Sequence, residues 1–251
     1  MARLERLTAH NVEALHVLCI GARTEFARAK EAREASLREM FEKGLTGWVA
    51  YEAKTPVGYI EYMPLEHAPY NVTGEEGHFI TCLWVLQEHR GQGAGSALLQ
   101  ACLADCPDGV STLAYRGIEY KPAEFFERSG FESVHQEGNS VLLTRGNLQV
   151  RRGPRGRYAP RQLEGQLAID VLYKPQCPYS YRVAERFQVV VEGHPHRELI
   201  DLLVIDMWAE RERVGLSGGV FFNGREPTFK SLGPPDQAEV RRVVDKALLD
   251  L

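Results

Sequence analysis

Apolar positions along the chain change period repeatedly, from the 3.6-residue spacing of an amphipathic helix to the alternation or short continuous runs of strands. Val12, Leu15, Leu18 and Cys19 recur at the helical spacing, which predicts a helix over 9–22 with the Thr8 hydroxyl as its cap. Ala35, Leu37, Met40 and Phe41 mark a second helix, closed by Gly44. Strands follow at 47–53 and 57–63, with Lys54-Thr55-Pro56 turning between them as a hairpin. The loop chemistry of Pro69, Gly74 and Gly77 then leads into an apolar run over 79–86, which reads as a central strand. A helix over 96–106, a strand over 110–115, a helix over 121–129 and strands around 131–135 and 140–144 complete a mixed pattern around one sheet.

Periodicity lapses over 148–165, where Arg151, Arg152, Arg155, Arg157 and Arg161 stand among glycines and prolines. This segment reads as a solvated linker, and without an interleaved aromatic platform its arginines do not point to nucleic acid. Beyond it the alternation resumes: strand 169–173, helix 179–191, strand 199–205, a short helix 208–214, strands 219–222 and 227–230 joined by Asn223-Gly224, and a closing helix over 236–249. A β-α-β unit, a hairpin and a terminal helix follow one another in the order of a thioredoxin-like fold, an analogy that assigns no activity. The expected class is α+β, with a first domain over 1–147, the linker over 148–165 and a smaller α/β domain over 166–251.

Composition changes this picture little. The 251 residues, 44% of them hydrophobic, suffice for two cores, and a formal net charge of −4 gives no general reason for nucleic acid or an anionic membrane as partner. No run approaches the roughly 18 apolar residues of a membrane span, and Met1-Ala2-Arg3-Leu4-Glu5-Arg6 opens no signal-peptide core, so the cytoplasm is the expected compartment. Cys19, Cys82, Cys102, Cys106 and Cys177 show neither disulfide-framework nor zinc-site spacing, and no metal is expected.

The clearest chemical signal is Arg90-Gly91-Gln92-Gly93-Ala94-Gly95-Ser96, between the end of the central strand and the start of a helix. Glycines without Cβ atoms let a diphosphate approach the backbone closely, while free N–H groups and the positive end of the helix dipole attract it. With Arg90, Gly93 and Gly95 at the signature spacing, the segment resembles the cofactor cradle of the GNAT superfamily of N-acetyltransferases. Leu83-Trp84-Val85 resembles the splayed strand that pairs with the pantetheine arm in that family, and Phe125-Phe126-Glu127-Arg128-Ser129-Gly130-Phe131 resembles its late helix-to-strand element. The resemblance covers about residues 1–147; Gln176-Cys177-Pro178-Tyr179, opening the second domain, extends it to GNAT proteins with a YoaP-like tail.

That resemblance implies acetyl-CoA as acyl donor, held by Gly91, Gln92, Gly93, Ala94, Gly95 and Ser96, and direct transfer of an acetyl group to a primary amine of a small molecule or a protein. Such transfer needs a base for the amine, donors for the oxyanion and an acid for the departing thiolate. The family often supplies the acid from a Tyr at the position of Phe126, which has no proton to give; Tyr120 and Tyr115 are the replacements within reach. His78 is the first choice of base, with Glu61, Glu75 and Glu76 as alternatives and His67 more remote. Two further classes stay open: an acyl-CoA-binding sensor or scaffold without catalysis, and a thiol-handling protein acting through Cys177. Ser180 at the partner position excludes a Cys-x-x-Cys disulfide, leaving Cys177 at a helix start near Lys174 as a single reactive thiol candidate. A homodimer is an admissible assembly.

Overall fold

The computed structural model describes residues 2–21, 23–74, 76–153, 158–159, 161–210, 218–230 and 234–251. The chain divides into two compact units: Met1–Thr24, Leu37–Ala68 and Val72–Gly153 form the first, and Glu25–Ser36, Pro69–Asn71 and Pro154–Leu251 the second.

In chain order the first 153 residues give β1 (Arg3–Arg6), α1 (Glu13–Ile20), α2 (Ala27–Glu42), β2 (Thr46–Glu52), β3 (Thr55–Pro64), β4 (Val72–Thr73), β5 (His78–Val85), α3 (Ala94–Asp105), β6 (Val110–Tyr115), α4 (Ala123–Glu127), β7 (Glu132–Glu137), β8 (Ser140–Arg145) and β9 (Arg151–Arg152). Every strand expected here is present within two residues, while two helices are shorter than expected. Residues 9–12 form turns because Thr8 is engaged one step early: its N–H donates to Asn11 Oδ1 at 2.8 Å and its hydroxyl accepts from His10 N–H at 3.3 Å. At 121–122 the left-handed backbone of Lys121 (φ 45°) and the extended backbone of Pro122 delay α4. Within the stretch expected to be linker, Arg151 and Arg152 pair with β4, and Arg152 donates to Ser140 Oγ at 2.8 Å.

The seven-stranded sheet runs β1-β2-β3-β5-β6-β8-β7, with β5 and β6 parallel and every other pair antiparallel. Under one face α3 and α4 bury Leu98, Leu99, Cys102, Ala123 and Phe126 against Ile60, Tyr62, Ile80 and Leu83. The parallel pair is short: His78↔Val110, Phe79↔Ser111 and Ile80↔Thr112 are in register, and there the ladder ends. Thr81 is the cause on β5, since the register with β3 passes from Tyr62↔Ile80 to Glu61↔Cys82, and this extra residue bends the strand. The Ile80 carbonyl, last in the ladder, accepts from Thr112 Oγ1 at 3.1 Å and from buried Lys121 Nζ at 3.0 Å. A wedge therefore opens between 81–85 and 113–115, while both strands stay paired on their outer sides.

The second unit contains β10 (Leu167–Tyr173), α5 (Pro178–Glu192), β11 (Ile200–Asp206), β12 (Gly219–Phe222) and α6 (Gln237–Leu249). β10 is central, parallel to β11 and antiparallel to β12, and buries Leu167, Ile169 and Val171 against Phe187 and Val191 of α5 and Val240 and Val244 of α6. Asp236 caps α6 by accepting from Glu239 N–H at 2.8 Å. Arg161 is no solvated connector: its N–H and Nε donate to the buried Asp170 carboxylate at 2.8 and 2.6 Å, and Nη1 reaches Asp201 at 3.0 Å. The Asn223-Gly224 turn forms, with φ of 42° and 82°, but the strand expected over 227–230 does not. Pro227 has no N–H to pair, and the Lys230 N–H is taken by the Glu239 carboxylate. Residues 208–210 are a turn, and the remainder of the helix expected over 208–214 lies outside the described residues, as do Arg155 and Arg157.

Candidate active site

Where β5 ends, the chain makes one short helical turn over Gln87–His89 and then two left-handed steps, Gly91 (φ 74°) and Gly93 (φ 88°), before α3 starts at Ala94. A side chain is strained at either glycine, and around both the space a Cβ would enter is open to 4 Å. Among the described residues no side chain caps α3, which leaves its first-turn N–H groups and the positive end of the helix dipole beside that open space. A helix start of this kind is the general setting for anion binding. Gln92 and Arg90 shape it: Gln92 Nε2 donates to the Glu88 carbonyl at 2.9 Å, and Arg90 Nε donates to the Val85 carbonyl at 3.1 Å. The Arg90 guanidinium also lies 5.0 Å from the Trp84 ring centre and 3.0 Å from Glu119. Gly95, where a Cβ would make ordinary contact with Phe125 and Val85, provides close packing rather than open space.

The wedge continues the cradle along β5. From Thr81 onward β5 makes no ladder pair with β6 among the described residues, and the Val85 carbonyl is instead held by Arg90. Leu83 points into the core under α3, whereas Trp84 lies on the other face, its indole N–H without a hydrogen-bond partner among the described residues. Residues 116–122 return to this place because Tyr115 N–H donates to the Lys121 carbonyl at 3.0 Å and the Lys121 ammonium is fixed on Ile80. This brings the Tyr120 ring to 6.4 Å from Trp84 and 5.9 Å from Tyr115, with its hydroxyl 3.6 Å from Cys82 Sγ. Cys82 Sγ is in turn 3.1 Å from the hydroxyl of Tyr59, which is 2.9 Å from Cys19 Sγ on α1. Sequence reading missed Cys82, Tyr59, Cys19 and Lys121, whose proximity arises only from the folded register.

Lys121→Met keeps the apolar stem and removes the ammonium, while Ile80 retains its bond from Thr112. The variant is expected to fold and bind CoA normally but to lose kcat by up to about 10²-fold, the effect of a group misplaced by about 1 Å. Steady-state kinetics beside a thermal melt checks this; unchanged kcat would show that the anchor does not position the loop.

His78 stands apart from Tyr120. It opens β5 at the closed end of the wedge, four residues and roughly 13 Å of extended strand before Cys82, which meets Tyr120. There it is half-buried against Tyr62, and a hydrogen bond with Cys106 raises its pKa against the opposing pull of burial. Glu76 is exposed, Glu75 lies outside the described residues, and Glu61 is buried opposite the bulge, with the Thr81 hydroxyl 3.1 Å from its carboxylate. Phe126 is fully buried, edge-to-face with Phe125 and Phe131, so this position serves the core. Phe126→Tyr should lower stability by about 1–3 kcal/mol through an unpaired buried hydroxyl, without raising kcat. A denaturant titration and a turnover assay measure both, and a gain in kcat would assign the acid to this position.

In the second unit Cys177 is the N-cap residue of α5, followed by Pro178. The Lys174 ammonium lies 4.6 Å from the Tyr70 ring centre, and the segment contacts Cys177 through the Cys177 N–H donating to the Lys174 carbonyl at 3.0 Å. Ser180 Oγ accepts from Lys174 N–H at 2.9 Å. No group of three or more potential metal ligands occurs among the described residues, and no described helix is long and apolar enough to cross a membrane.

Residues 43–133, which carry β3, β5, the cradle, α3 and the wedge, match the family model described as an acetyltransferase (GNAT) domain. The uncharacterized N-acetyltransferase YoaP of Bacillus subtilis (strain 168) is 23% identical over 235 residues, covering 89% of this chain and 92% of the relative. Among solved structures, PaiA N-acetyltransferase from Thermoplasma acidophilum in complex with coenzyme A is similar at 14% identity and a TM-score of 0.43, over 58% of this chain and 99% of that one. An acetyltransferase from Thermus thermophilus is similar at 18% identity and a TM-score of 0.44, over 58% and 96%. Residues 43–133 thus carry an acetyltransferase domain of the GNAT type.

Proposed function

We propose that the protein transfers the acetyl group directly from acetyl-CoA to a primary amine, carried by a small molecule or by a protein terminus or lysine, with Tyr120 as the acid for the departing thiolate. The observation that carries this reading is the continuity of cradle and wedge: a diphosphate bound by the first turn of α3 would lead its pantetheine arm along the unpaired edge of β5 toward Tyr120. The description of the Bacillus relative as an N-acetyltransferase supports nitrogen as the acceptor atom. Backbone amides of β5 beside the wedge are the donors available to the oxyanion. With His78 at the far end of β5, the amine is proposed to lose its proton to solvent or a nearby water rather than to that imidazole. Acetyl-CoA incubated with a panel of amines and lysine peptides, read by mass spectrometry, tests this. Binding of acetyl-CoA without any acetylated product or hydrolysis would replace it with the sensor reading.

A second reading concerns Cys177 as a thiol-handling site. Support comes from the parallel β10-α5-β11 unit with Cys177 at the N-cap of α5, the first part of a thioredoxin-like order, and from Gln176, 3% exposed, whose side-chain amide has no hydrogen-bond partner among the described residues. Mixed-disulfide formation with oxidised glutathione at Cys177, mapped by peptide mass, would favour it; a Cys177 that stays unmodified under conditions labelling other thiols would discard it.

A further inference from the structure

Four protic side chains form one line across the face of the sheet opposite α3. Tyr120 OH and Cys82 Sγ are 3.6 Å apart, Cys82 Sγ and Tyr59 OH 3.1 Å, and Tyr59 OH and Cys19 Sγ 2.9 Å. They come from four places in the chain: the loop after β6, the β5 bulge, β3 and α1. Tyr59 is fully buried, whereas Tyr120, Cys82 and Cys19 are partly exposed, Cys19 on the helix side. A buried phenol needs one partner for its hydroxyl; this one has a thiol on each side, and either atom of each contact can be the donor.

We infer that Cys82, Tyr59 and Cys19 are a proton relay that reloads Tyr120 during turnover, an inference that rests on Tyr120 being the acid. As the thioester C–S bond breaks, Tyr120 gives its proton to the CoA sulfur. The Tyr120 oxygen then takes the Cys82 thiol proton, Cys82 takes the Tyr59 hydroxyl proton, Tyr59 takes the Cys19 thiol proton, and Cys19 is reprotonated by water. The amine releases one proton to solvent as its C–N bond forms, so one proton enters, one leaves and no redox change occurs. Cys82 is the link through which the others act, and its neighbours Tyr59 and Cys19 position and supply it.

The full chain with acetyl-CoA, using the best amine of the panel or water where no amine reacts, tests the relay by the rate of CoA release. Cys82→Ala is expected to lower kcat roughly tenfold, a part of the ~10²–10⁴ that a general acid contributes, with KM for acetyl-CoA unchanged. Cys82→Ser, which keeps a donor and acceptor, should recover most of the loss, and Tyr59→Phe should reproduce the Ala phenotype. In mixtures of light and heavy water the wild-type rate should vary non-linearly with deuterium content, since several protons move together, and the Ala variant linearly. Equal losses in Cys82→Ala and Cys82→Ser would make Cys82 a packing residue and overturn the relay, as would an unaffected Cys82→Ala beside an impaired Tyr120→Phe. Should Tyr120→Phe itself be fully active, the acid assignment fails first and the relay with it.

Discussion

Gly93→Val should reduce affinity for CoA by at least about 10²-fold, close to 2.7 kcal/mol at about 1.4 kcal/mol per decade. Two physical effects act at this position. Its backbone is left-handed, with φ of 88°, which a β-branched residue adopts only with strain. Its Cβ direction is open to 4 Å, the space a diphosphate would use to reach the first N–H groups of α3. Strain alone lowers stability; obstruction lowers binding. Gly138, at φ 57° in the β7–β8 turn and equally open, separates the two. Gly138→Val carries the strain without the ligand, so it should melt earlier than wild type yet bind CoA as wild type does. Calorimetry on the three proteins, each at a temperature well below its melt, gives the comparison. If Gly93→Val and Gly138→Val bind CoA equally well, the diphosphate is not held at this turn.

The glycine turn at a strand-to-helix junction was legible because its requirement is local: three glycines within five positions, two of them left-handed in the fold. Most strands were legible for the related reason that their apolar runs are continuous. β1 was not, since Arg3-Leu4-Glu5-Arg6 is short, charged and at the sheet edge, where pairing with β2 rather than burial decides its conformation. The strand expected over 227–230 failed in the opposite sense: its residues suit a sheet, but Pro227 lacks a donor and the helix cap region claims the Lys230 N–H. The wedge was read only as a family likeness, because its cause is a register shift at Thr81 and a buried lysine bond that exist in the register, not in the pattern. For the same reason His78 looked as near the chemistry as Tyr120. Both belong to or adjoin the strands that form the wedge, and only the register of β5 shows that His78 lies on its paired stretch and Tyr120 beside the stretch just past it. Cys19, Tyr59 and Cys82 carried no signal at all, being ordinary buried residue types until three elements bring them within hydrogen-bonding distance.

Tyr120→Phe should lower kcat for acetyl-CoA by about 10²-fold, with CoA affinity unchanged. The ring packs against Trp84 and Tyr115 through its faces, contacts a phenylalanine retains, so the hydroxyl is the group lost. General acids contribute ~10²–10⁴, and the lower end applies because a thiolate with a conjugate pKa of about 8.5 leaves tolerably without help. That reasoning makes the size of the loss depend on the donor. An acetyl thioester of a more acidic thiol, such as an aryl pantetheine analogue, has less need of a proton in the transition state, and the ratio of wild-type to variant kcat should shrink toward one. Substituting Tyr115 with Phe provides the comparison, since that residue shares the aromatic cluster while the hydroxyl that meets Cys82 is that of Tyr120. Stopped-flow measurement of thiol release with both donors distinguishes the roles. A loss in Tyr120→Phe that is the same for the natural and the activated donor would mean that the hydroxyl orients substrate rather than protonating the leaving group. A loss confined to Tyr115→Phe would move the acid to the end of β6.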